Sequence, residues 1–138
     1  MKKALLICLI VMISVCVKAE EQTFEKRCTS ANGVVVAGKN GKVYCKSNRY
    51  MNWWTALGWC QAIGMVPFEN PNDCRCIGEN CPETASGCPN LTGVGAGTVW
   101  TGTPFNGNPG YSITINLGNG NVGAHHNSAD YPDLALCY

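Results

Sequence analysis

The chain has 138 residues, 46% of them hydrophobic and 14% charged, with ten cysteines, 16 glycines and a formal net charge of +1. That composition excludes intrinsic disorder, which goes with high charge and few apolar residues. The near-neutral balance argues against nucleic-acid binding, which needs a basic face to neutralise phosphates. Ten cysteines at this length point instead to one small domain, exported to an oxidising compartment and stapled by disulfides.

Residues 1–19 have the form of a signal peptide. Lys2 and Lys3 make a charged start, and an apolar run of about a dozen residues follows, too short for the roughly 20 that span a bilayer. Val17 and Ala19 sit at the −3 and −1 positions of a cleavage site, so the mature chain is expected to begin at Glu20. A lipid-anchored alternative would use Cys16, but Val15 before it fits a lipobox poorly. Cleavage removes Cys8 and Cys16 and leaves eight cysteines, an even number suited to a complete disulfide framework. No second apolar run long enough to cross a membrane follows. The expected location is therefore secreted, periplasmic or on the cell surface, with no membrane insertion after cleavage.

Residues 20–42 read as a polar lead-in and a first hairpin strand. Residues 34–37 and 42–46 are β-prone and are separated by Gly38-Lys39-Asn40-Gly41, whose Asn-Gly step suits a hairpin turn. Cys28 and Cys45 flank this hairpin, where a disulfide would staple it. Asn52 is a natural cap for a helix starting at Trp53. Trp53, Ala56, Leu57, Cys60 and Ile63 then recur at the spacing of one buried helix face, and Gly64 is a stop. Trp54 and Trp59 widen that apolar surface, and packing is the expected use for both.

Residues 67–91 lack hydrophobic periodicity. They hold four prolines and Cys74, Cys76, Cys81 and Cys88, so cross-links must replace a core here. Four thiolates can also bind zinc, but export favours bridging. A Cys74–Cys76 bond would be strained. Two arrangements stay open: Cys74–Cys88 with Cys76–Cys81, or Cys74–Cys81 with Cys76–Cys88. The last third is β-prone again. Residues 98–101 form a short strand, and residues 111–117 alternate apolar with polar as a half-buried strand. A Gly118-Asn119-Gly120-Asn121 turn leads into residues 122–126, and residues 134–138 close the chain. His125 and His126 are adjacent in a strand, so their rings point to opposite faces and do not share one metal ion. Gly93-x-Gly95-x-Gly97 lacks the strand and helix that a phosphate cradle needs, and reads as a loop.

Three segments together resemble the C-type lectin-like domain: the helix from Trp53 to Cys60, the strand Val99-Trp100-Thr101-Gly102, and the closing strand Leu134-Ala135-Leu136-Cys137-Tyr138. The order of parts is similar to a bacterial variant found in exported proteins of unknown function and at the end of a collagen-like adhesin. In that pattern a Trp-rich helix with Cys, a Val66-Pro67 step, Trp100-Thr101-Gly102, and an alternating strand ending in an Asn-Gly turn precede a final Cys. The resemblance covers residues 43–138. It implies an α+β fold with one main helix, small antiparallel sheets and long disulfide-braced loops. It also implies a bridge from Cys60 to Cys137.

Sugar-binding members of this family hold Ca²⁺ with loop carboxylates and amides, and a calcium site wants six to eight oxygens. The nearest segments here, Asn70-Pro71-Asn72-Asp73 and Asn127-Ser128-Ala129-Asp130, are displaced from that pattern and supply few ligands. No cofactor is therefore expected, with Ca²⁺ the one candidate. The expected function is binding, calcium-independent, of a glycan or a cell-surface protein. The face would comprise residues 103–110 and 119–130, with Phe105, Asn106, Asn108, Tyr111, His125, Asn127 and Tyr131 displayed to the ligand. The alternative is a structural subunit or tip domain of a surface appendage. An exported carbohydrate-active enzyme is the remote third reading. It would need two carboxylates paired across a cleft, and nothing in the sequence pairs Glu69, Asp73, Glu79, Glu83, Asp130 or Asp133. No catalytic residue is assigned.

Overall fold

Alternating strand residues put a strand's side chains on two faces, and the register of the strands then decides which residues share a face. A computed structural model describes residues 22–69, 74–75, 87–128 and 132–138. The expected signal peptide with Cys8 and Cys16, the segment 70–73, Cys76, Cys81, Asp130 and Tyr131 lie outside the described residues. The elements are helix α1 (Phe24–Ser30), strands β1 (Gly33–Ala37) and β2 (Val43–Met51), and helix α2 (Trp53–Ala62). A 3-10 turn (Pro89–Leu91) follows, then β3 (Thr98–Pro104), β4 (Tyr111–Asn116), β5 (Val122–His126) and β6 (Asp133–Cys137).

The fold is α+β, but the strands do not form small separate sheets. They make one six-stranded sheet in the order β1-β2-β6-β3-β4-β5. It is mixed: β3 and β6 run parallel, Val99 beside Leu134 and Trp100 beside Ala135, and the other pairs are antiparallel. The closing strand inserts between the hairpin β1–β2 and the meander β3–β4–β5 and so fuses them. Beyond Trp100 and Ala135 the parallel pair is spread by residues 66–68. The Phe68 N–H donates to the Leu136 carbonyl (2.8 Å), and the Gly102 N–H donates to the Phe68 carbonyl (2.7 Å).

One sheet face carries Tyr44, Leu136, Leu134, Val99 and Ile115. It is covered by Phe68, Leu91, Val94 and the Cys74–Cys88 disulfide. That bridge selects the first of the two open arrangements for Cys74 and Cys88 and removes both from any zinc site. The other face carries Cys45, Cys137, Ala135 and Trp100, and both helices lie on it. Cys28 bonds to Cys45, and Cys60 bonds to Cys137. Cys45 and Cys137 are partners across β2 and β6, so each helix is fastened to the same rung of the sheet.

Helix α2 begins where its cap predicts, with the Asn52 side chain accepting from the Thr55 N–H at 2.9 Å. Trp53, Ala56 and Cys60 are buried on it, and Leu57 and Ile63 are half-buried. It stops at Gly64, whose φ of +67° is the left-handed conformation that favours glycine. The indole N–H of Trp53 donates to the Thr101 carbonyl and that of Trp100 to the Met51 carbonyl, both at 2.8 Å. These bonds satisfy the polar edges of two buried rings. Trp54 departs from the packing expectation: it is 65% exposed, and its ring meets that of Trp53 in an edge-to-face arrangement at 4.5 Å.

Helix α1 stands where the sequence predicts only a polar lead-in. Thr23 caps it, and Cys28 is its one buried residue. Gly33 follows beneath the first disulfide, where a Cβ would come within 2.7 Å of the Cys45 sulfur and 2.8 Å of the Cys28 sulfur. Strand β4 is also a correction. Its polar residues Ser112 and Thr114 are as buried as Ile113 and Ile115, so it is covered on both faces and not half-buried.

Candidate functional site

The β3–β4 connection is a tight loop made by backbone bonds. The Phe105 N–H donates to the Tyr111 carbonyl (3.0 Å), Asn108 to Phe105 (3.2 Å) and Tyr111 to Asn108 (3.0 Å). The Asn108 side chain accepts from the Gly110 N–H at 3.2 Å, an Asx turn that shapes the tip. Asn106 and Asn108 are exposed there and Phe105 is half-buried. The loop is tied to the end of β5, because the Asn127 N–H donates to the Gly110 carbonyl at 2.8 Å.

Register decides the rest. Tyr111 faces His126 across β4 and β5, and Ser112 faces His125. The Tyr111 and His126 rings meet edge to face at 5.2 Å. His126 Nδ1 accepts from the Ser128 N–H at 3.2 Å, so Nδ1 holds the lone pair and the neutral ring carries its proton on Nε2. Phe105, Asn106, Asn108 and Tyr111 thus cluster at one tip together with His126, which the expected face did not single out. The signal for it was available: the turn at 118–121 fixes the β4–β5 register, and counting back from it pairs Tyr111 with His126.

His125 is on the other face and takes no part in that tip. Its Nδ1 lies 2.6 Å from Asp133 Oδ2, and its ring meets Trp100 edge-on at 6.1 Å. Strands β5 and β6 are three places apart in the sheet. At about 4.8 Å per strand a flat sheet would hold them roughly 14 Å apart, beyond what a His and an Asp can span. The meander therefore curls over this face, helped by small side chains along the way. Thr114 is the neighbour of Trp100, and Gly123 is the neighbour of Thr114. Burial raises the Asp133 pKa above its ordinary 3.8, and the hydrogen bond and charge of His125 oppose that rise without cancelling it.

Ser112, His125 and Asp133 are the residue types of a nucleophile relay. Ser112 is fully buried, however, and its Oγ makes no hydrogen bond among the described residues, so it forms no nucleophile–base contact with His125. Asn127 is buried and not displayed, and its Oδ1 has no hydrogen-bond partner among the described residues. Among the described residues no group of three His, Cys, Asp or Glu side chains is placed to hold a metal ion. A scan against protein-family models finds no match, and searches of curated proteins and of solved structures likewise find none.

Proposed function

We propose that this chain is a secreted or cell-surface binding module of C-type lectin-like type, recognising a glycan or protein ligand without calcium. The observation that carries the proposal is the hairpin tip. Asn106, Asn108 and Phe105 are presented beside the Tyr111–His126 ring pair, on a loop already fixed by backbone bonds and tied to β5. Such a surface binds without a large ordering cost at contact. The bridge from the main helix to the closing strand supports the lectin-like reading. Three disulfides among the described residues support an oxidising compartment. No helix among the described residues is long and apolar enough to cross a membrane.

A glycan array and a pull-down against host surface proteins test the proposal. A specific hit that weakens at least tenfold in Asn106→Ala or Asn108→Ala, with unchanged melting temperature and indifference to EDTA, supports it. Blanks in both assays overturn it. A second reading, a subunit of a surface appendage, rests on β1, an uncharged edge strand of five residues that another chain could extend. Polymer co-purifying with the chain, lost on substitution of the exposed Val34→Lys with the melting temperature unchanged, distinguishes that reading from the first.

A further inference from the structure

A polar cavity lies away from the hairpin tip, between the end of α1, helix α2 and the middle of β2. Its volume is about 320 Å³, at the small end of the roughly 300–1,000 Å³ typical of ligand sites. Trp59 of α2 and Met51 line it, and Ser30, Asn32, Asn48 and Arg49 are among the polar residues around it.

Three local features hold this arrangement. Strand β2 breaks register between Lys46 and Tyr50, and such bulges re-aim side chains that a regular strand would place elsewhere. Ser47, buried at the bulge, fixes it from both sides: its Oγ donates to the Arg49 carbonyl (2.9 Å) and accepts from the Ala135 N–H (2.8 Å). Asn32 ends α1 in the left-handed conformation, at φ 59°, and its carbonyl accepts from the Asn48 N–H at 3.4 Å. The backbone of this rim is thus committed. The side chains of Asn32, Asn48 and Arg49 make no hydrogen bond or ion pair among the described residues.

We infer that this cavity binds a sugar ring carrying a carboxylate, a uronate or a sialate. The indole of Trp59 is a flat apolar wall with a polar edge, suited to the C–H face of a pyranose. Asn32, Asn48 and Ser30 supply short donors and acceptors for ring hydroxyls. Arg49 supplies a planar fork for a carboxylate, the pairing for which guanidinium geometry is matched. Beyond Trp59, Met51 and Ala31 the lining is polar, so an apolar peptide side chain would leave Ser30, Asn32, Asn48 and Arg49 unmatched.

The test is a titration of the ¹⁵N-labelled, disulfide-bonded protein, reading the indole N–H signals, with Trp59 assigned through Trp59→Phe. Methyl glucuronide and a methyl sialoside are compared with methyl glucoside and with the acidic dipeptide N-acetyl-Asp-Glu. The expected result is a saturable shift of the Trp59 signal by at least one acidic sugar, with the glucoside about tenfold weaker. Arg49→Gln brings the acidic sugar to the glucoside's affinity while the buried Trp53 and Trp100 signals stay in place. Asn106→Ala at the hairpin tip leaves this binding unchanged. The inference fails if no acidic sugar saturates the Trp59 shift, if acidic and neutral sugars bind alike, if Arg49→Gln changes nothing, or if the dipeptide binds more tightly.

Discussion

Asp133 keeps its proton to higher pH than an ordinary aspartate, because burial penalises its charge more than His125 stabilises it. In the window from 3.8 upward to its raised value, the folded chain holds a proton that the unfolded chain has lost. Asp133 therefore contributes most to stability in acid, and that contribution falls as pH rises through the window. Asp133→Asn removes this titration but keeps an acceptor for His125. Urea unfolding between about pH 3.5 and 7 should show the stability difference drifting in favour of the variant as pH rises. A difference independent of pH would mean that Asp133 titrates alike in both states. Strand alternation alone separates His125 from His126, so their opposite faces were legible in the sequence. The partner of His125 was not. It depends on how far β3–β4–β5 curls, and no residue pattern states that curvature.

Helix α2 was legible because two independent signals agree, a cap at Asn52 and a buried face at Trp53, Ala56 and Cys60. The cap is also where the helix is open to a small perturbation. Asn52→Ala leaves the Thr55 N–H without its acceptor and should cost about 1 kcal/mol, read as a lowered urea midpoint at constant slope. No loss would mean that water serves the N–H equally well. Helix α1 offered a capping residue, Thr23, but no extended buried face to agree with it. Only Cys28 is fully buried on it, with Phe24 half-buried against the same core and Arg27 donating to the Gly64 carbonyl, so one disulfide and a few contacts place it and no long apolar stripe does. Strand β4 misled for a related reason. Its alternation marks the face under Phe68 and Leu91 correctly, but the curl of the meander buries Ser112 and Thr114 as well. Trp54 and Trp59 are aromatic in a helix otherwise rich in core residues, and composition could not show that the first would stand in solvent.

Across the whole molecule, the local cross-link Cys28–Cys45 followed from the hairpin that it flanks. Cys60–Cys137 came only from resemblance, and Cys74–Cys88 from the structure. The sequence separation of 77 residues between Cys60 and Cys137 is beyond the reach of any local pattern. The merging of hairpin and meander into one sheet escaped for the same reason, since it rests on a strand that arrives last and inserts in the middle. The shared rung at Cys45 and Cys137 also has a mechanical consequence. Tension applied between Phe24 and Tyr138 passes from Cys28 to Cys45, along the chain to Cys60, and out through Cys137. Between those bonds only the stretch from Cys45 to Cys60 can pay out, about 15 residues or roughly 50 Å when drawn straight. The hairpin tip and all of β3, β4 and β5 hang outside that path. Single-molecule pulling should therefore give a short extension from the oxidised chain and a several-fold longer one after reduction. A long extension without reductant would show that one of the two bonds is missing. A domain strung this way would keep its hairpin tip in shape under load, whereas the cavity lined by Asn48, Arg49 and Trp59 lies within the segment that stretches and would open with it.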